Sequence, residues 1–134
     1  MVVVPDGLPL VVIDIVKGCC NEEYEIPEWD IHFSKVREML PRLNAYVKKH
    51  RENGGEVIWI KPVPCTEEHL SENINKLYRE NPDATFYVTE NIEEYDEFPD
   101  SIDVDPEDSI IVKNNYSAFT NPILAKLLKT DYLV

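Results

Sequence analysis

No apolar run in these 134 residues approaches the roughly 18 consecutive apolar residues needed to cross a bilayer. The opening Met1-Val2-Val3-Val4-Pro5-Asp6 has neither the basic start nor the apolar centre of a secretory signal. The chain therefore reads as cytoplasmic, with no membrane partner. Cysteine is scarce: Cys19, Cys20 and Cys65 cannot all pair, and adjacent cysteines seldom bridge each other, so no disulfide framework is expected. No Cys-x-x-Cys and no Cys/His cluster occurs, and His32, His50 and His69 lack ligand spacing. No metal and no cofactor is expected.

Basic residues are the other shortage. The formal net charge is −13, and residues 66–108 hold 15 acids against only Lys76 and Arg79, which accounts for all of it. A surface this negative repels phosphate backbones and anionic lipid, which excludes nucleic acid and membrane surfaces as partners. With 43% hydrophobic residues the chain is long enough for one substantial core and too short for two, so residues 1–134 read as a single domain.

Two short apolar runs each end in a charge: Leu10–Val11–Val12–Ile13 leads to Asp14, and Ile110–Ile111–Val112 leads to Lys113. Such runs read as strands buried on both faces, the pattern of a parallel sheet covered by helices. Ligand crevices of open α/β sheets lie outside the carboxyl ends of the strands, so Asp14 and Lys113 are the candidate site residues.

Between them, Lys17 to Trp29 reads as a loop with Gly18, Asn21 and Pro27 as turn formers. Ile31, Val36, Met39, Leu40, Leu43, Tyr46 and Val47 recur at helical spacing, and Gly54–Gly55 supply the stop. Pro41 leaves two readings open, one kinked helix or two helices with Pro41 in the first turn of the second. Glu56-Val57-Ile58-Trp59-Ile60 reads as a second strand, completing a βαβ unit. Glu67 to Glu80 reads as helical and Thr85–Thr89 as a short strand. Glu90–Asp108 has no sustained period and reads as a long, solvated, mobile surface loop. Asn121 or Thr120 caps a last helix opened by Pro122, and Asp131-Tyr132-Leu133-Val134 begins a further strand.

The strand ending in Asp14, the segment Arg51-Glu52-Asn53-Gly54-Gly55 before Val57-Ile58-Trp59, and above all Lys113-Asn114-Asn115-Tyr116-Ser117-Ala118-Phe119 resemble the isochorismatase-like cysteine hydrolases. The resemblance covers nearly all of the chain, loosely in residues 62–105. It implies an α/β fold of Rossmann-like three-layer type, a parallel sheet with helices on both faces. It also implies a triad of Asp, Lys and Cys that hydrolyses small amides or related bonds through a thiol. By position, Asp14 corresponds to the general base and Lys113 to its cationic partner. The family's nucleophilic Cys follows the strand that begins at Tyr132, so the chain is expected to be truncated within the domain, inactive alone and a hydrolase when complete. Apolar surface at such a cut implies a homo-oligomer.

Two positions depart from the resemblance: Val16 and Gly18 stand where many members have a glutamine and an acid. After Trp59–Ile60 comes Lys61-Pro62-Val63-Pro64 in place of the Asp-x-His of metal-binding members, which disfavours a zinc enzyme. Cys19 and Cys20, in a loop without a helix N-terminus to acidify them, are poor substitutes for the nucleophile, and Cys65 reads as inert. An inactive relative with an assembly or regulatory role is the alternative.

Overall fold

A computed structural model describes residues 7–128. Three parallel strands form one sheet in the order β1-β2-β3: β1 Leu10–Ile13, β2 Val57–Pro62 and β3 Ser109–Lys113. The register pairs Val12 with Trp59 and Trp59 with Ile110, and it pairs Pro62 with Lys113. Because side chains alternate across a strand, this register divides the core in two. Val12, Val57 and Trp59 face one helix layer, where they meet Leu40 and Val47 of α2 (Ser34–Glu52). Ile58, Ile60 and Ile111 face the other, where they meet Ala118 and Leu124, the latter from α4 (Pro122–Leu127). The chain is thus an α/β protein with helices on both faces of a parallel sheet.

β2, the central strand, is buried from Val57 through Ile60 as a doubly covered strand should be. The outer strands are not. Ile13, Ile110 and Val112 are about half exposed, a correction to the expectation of burial on both faces. An edge strand has a neighbour on one side only, and among the described residues none lies beyond β1 or β3.

α2 is one continuous helix with Pro41 inside it. Pro41 lies on the exposed side of the helix, which continues through it despite the lost backbone hydrogen bond. α3 is shorter than its apolar pattern, Glu72–Glu80, because Thr66 closes a turn with Leu70 first. Thr85–Thr89 is not a strand: its one backbone tie to a neighbouring segment is Val88 N to Cys65 O. Asn121 caps α4 by accepting from the Ile123 amide. The strand expected from Asp131 lies outside the described residues.

The largest correction concerns residues 90–108, which are not a solvated loop. Phe98, Ile102 and Val104 pack into the α2-side core, with Phe98 set edge-on to Trp59 at 5.4 Å between ring centroids. Below them Asp108, its side chain only 4% exposed, accepts from Arg51 Nε at 3.0 Å, Trp59 Nε1 at 2.8 Å and the Asp105 amide at 3.0 Å. This buried carboxylate ties the last turn of α2, the middle of β2 and the entry to β3 into one unit.

Candidate active site

Asp14 follows the last residue of β1, its amide still donating to Ile60 O at 3.0 Å. Its φ of 62° is left-handed, a conformation that turns the chain sharply off the sheet and that Asp tolerates better than most residues. The turn leads into α1, Lys17–Cys20, a single helical turn. Lys113 ends β3 on the other side of β2, where its carbonyl accepts from the Val63 amide at 2.9 Å. The two side chains meet over the end of the central strand. Lys113 Nζ lies 3.0 Å from Asp14 Oδ1 and 3.3 Å from Oδ2, and it donates with good geometry to Oδ2 and to Tyr116 O at 3.2 Å.

The pair is asymmetric in its exposure. The lysine side chain is 9% exposed and the aspartate 44%, so the ammonium is held inside while the carboxylate opens on the crevice. Within that carboxylate Oδ1 is buried and, among the described residues, receives no hydrogen bond, only the nearby charge. A buried acceptor without a donor is uncommon, and here the Lys113 ammonium lies 3.0 Å from it.

The crevice around the pair has a volume of about 170 Å³ and is walled by Cys19, Cys65, Ile74, Tyr78, Tyr95 and Tyr116 among others. Its side walls come from segments with little periodic signal. Tyr95 arrives from the irregular stretch after residue 90, where nothing in the sequence marked it. Tyr78 is carried by α3, and Asn115 anchors the β3 exit to that helix by donating to Asn73 Oδ1 at 3.0 Å. Tyr116 contributes its backbone carbonyl to Lys113.

Cys19 and Cys65 do face the crevice, but neither is an activated thiol. Burial first, and the Asp14 charge second, push the Cys19 thiol up to about 11. Cys19 stands in α1, not in an open loop as the sequence suggested. One helical turn is too short to offset that burial. Burial likewise raises Cys20 to about 11 and raises Cys65, whose Sγ donates to Phe86 O at 3.3 Å. Val16 and Gly18 are both buried and cannot substitute for the side chains missing at their positions. A Cβ at Gly18 would fall 2.4 Å from the Tyr95 ring, so the glycine is what lets that ring close in. Among the described residues no group of three or more His, Cys, Asp or Glu gathers to hold a metal ion. No helix among them is long and apolar enough to cross a membrane.

A cysteine hydrolase from Pseudomonas syringae pv. phaseolicola superposes with a TM-score of 0.68 at 16% identity, over 91% of this chain and 53% of that one. The N-carbamoylsarcosine amidase of Thermoplasma acidophilum matches at 0.60 and 16%, over 93% and 64%. The pyrazinamidase of Pyrococcus horikoshii, solved in complex with zinc, matches at 0.60 and 24%, over 90% and 63%. The chain thus spans between about half and two thirds of the length of these structures, and at such identities they establish the fold alone. No curated protein matches the sequence. The isochorismatase domain model matches residues 9–132, nearly the whole chain, and the chain therefore belongs to the isochorismatase family.

Proposed function

We propose that Asp14 and Lys113 form the acid–base part of a thiol-dependent hydrolase site acting on a small amide or related bond. The observation that carries this reading is the ammonium of Lys113 set 3.0 Å from a buried Asp14 Oδ1 that receives no hydrogen bond from any described residue, at the carboxyl ends of two parallel strands. The third group of such a site is the thiol that the family resemblance implies, and Cys19, Cys20 and Cys65, all held as neutral thiols, are poor candidates for it.

In this mechanism Asp14 takes the thiol proton and the thiolate attacks the carbonyl carbon. The Lys113 charge stabilises the thiolate, as a nearby cation does for any thiol. When the tetrahedral adduct collapses, the C–N bond breaks and Asp14 returns its proton to the departing amine. Asp14 then deprotonates a water that attacks the thioester, releasing the acid and restoring the thiol. The sum is amide plus water to acid plus amine, with no other reactant.

The test is ammonia release from a panel of small primary amides by the full-length protein. Asp14→Asn and Lys113→Ala are each expected to lower turnover by about 10³-fold or more, with the melting transition retained. Residual activity within tenfold of the unsubstituted protein in either variant overturns the assignment. A second reading, an inactive relative with an assembly role, draws support from Val16 and Gly18, which leave the site without the polar groups that many members place there. Sequencing the gene past the codon for Val134 and measuring the intact mass separates the two: a cysteine within a turn of the next strand favours the hydrolase, and its absence favours the second reading.

A further inference from the structure

Beside the crevice lies a second and larger cavity, about 500 Å³, that shares Cys19, Cys65 and Tyr95 as a common wall. Its interior is apolar, with Ile26, Ile31, Phe33, Phe86 and Val88 among its lining residues. The charges at its margin are all of one sign. Glu23, Glu25, Glu28 and Glu90 line it, and among the described residues no lysine, arginine or histidine does.

Those carboxylates differ in how far they are already occupied. Glu25 is committed to the fold, accepting from the Phe33 amide at 2.7 Å and from Arg37 at 3.0 Å. Glu23 takes a neutral hydrogen bond from Asn21. Glu28 and Glu90 are exposed and form no ion pair with any described residue. Desolvated apolar walls favour a hydrocarbon or aryl group. Uncompensated carboxylates at the mouth attract a cation and repel an anion.

Resting on the hydrolase reading above, we infer that this cavity is the tail subsite: the substrate places its scissile carbonyl in the Asp14–Lys113 crevice and extends an apolar, cation-terminated tail past Tyr95 into the acidic-rimmed chamber. The substrate class is then an amide bearing an aryl or alkyl chain with an ammonium end. Anionic amides are excluded by the rim. Tyr95 divides the two spaces, and its ring rests against Gly18 and packs edge-on to Tyr24 at 5.4 Å.

A matched series tests this by binding, independently of turnover. The probes are 4-(aminomethyl)benzamide, 4-methylbenzamide and 4-carbamoylbenzoate, which share one frame and differ in terminal charge, titrated into the isotope-labelled protein by NMR. The cationic probe is expected to bind about fivefold or more tightly than the neutral one, and the anionic probe most weakly. In a Glu28→Gln/Glu90→Gln variant the cation preference collapses while the affinity of 4-methylbenzamide is unchanged. Glu38→Gln/Glu52→Gln, which removes two exposed charges from α2, leaves the preference intact and so separates local from global attraction. Equal affinity across the series, an anionic preference, a preference untouched by the Glu28/Glu90 variant, or no binding at millimolar probe each overturns the inference. The same order of affinity in Asp14→Asn with turnover retained keeps the subsite and sinks the catalytic reading, so the two proposals fail separately.

Discussion

Asp14 carries two constraints at once, a left-handed backbone and a charge partnered by a buried ammonium. Removing only the carboxylate leaves Lys113 inside without a counter-charge, and breaking such a pair costs more than replacing it whole. Asp14→Gly relaxes the backbone yet is expected to lower stability by about 2 kcal/mol, whereas Asp14→Gly with Lys113→Met returns it to within about 1 kcal/mol of the original. Urea unfolding of both variants measures this, and a double variant less stable than the single one refutes it. The thiols give a second residue-scale prediction. With Cys19 and Cys20 raised to about 11 from an ordinary value near 8.5, the unfolded chain releases protons between those limits while the folded one retains them. Stability is therefore full below about pH 8.5 and falls as pH rises toward 11. Alkylation by iodoacetamide follows the same order, slow at pH 7 and accelerating above pH 9. Rapid labelling of either cysteine at pH 7 contradicts it. Both charges of the pair were legible in the sequence because each ended an apolar run. Tyr95 and the crevice-facing direction of Cys65 were not, since a side chain brought in by an aperiodic segment leaves no periodic trace, and the helical spacing around Tyr78 marked its element but not the crevice it lines.

At the scale of elements, α2 and its buried lock to Asp108 divide along similar lines. The helix was visible in its spacing, but only the structure shows that it runs unbroken, because whether a proline breaks a helix depends on where its freed carbonyl points. Pro41→Ala restores an amide donor in mid-helix and is expected to stabilise the protein by about 1–2 kcal/mol, part of the helical gain being offset by the greater freedom of the unfolded chain. A lower midpoint in thermal unfolding counts against it. The Arg51–Asp108–Trp59 cluster joins elements far apart in sequence, and nothing in a run of acids marks Asp108 as the one that is buried. Burial alone would raise its carboxyl, yet donation from Arg51, Trp59 and the Asp105 amide holds it below the usual range. That contribution is present above the ordinary carboxylate pKa near 4 and is lost as pH falls through the lower folded value. Asp108→Ala is expected to cost about 3 kcal/mol and to remove this acid-side loss. Tryptophan fluorescence during acid titration reports it directly through the Trp59 indole.

For the whole molecule, α/β class and parallel order followed from alternating apolar runs and one long helical period. The placement of residues 90–108 did not, because Phe98, Ile102 and Val104 are too far apart among acids to show a period, and tertiary contacts alone decide that they are core. Their burial brings that acidic segment against the body. The net charge of −13 then works against compactness at low ionic strength, where charges separated by tens of ångströms still repel. Raising sodium chloride from about 0.01 M to about 0.5 M is expected to raise the melting temperature by a few degrees. A fall would show that ion pairs such as Lys17–Glu97, at 2.7 Å, outweigh the repulsion.

Asp14 and Lys113 stand on the two outer strands and touch across the central one. Slipping either outer strand by a single residue turns its side chains to the opposite face and parts the two charges. The ion pair is thus a lock with two keys, closed only when both strand pairings are in register. A preparation's content of closed pairs, counted by the Lys113 ammonium signal in NMR, measures how many molecules have paired correctly, before any substrate is known.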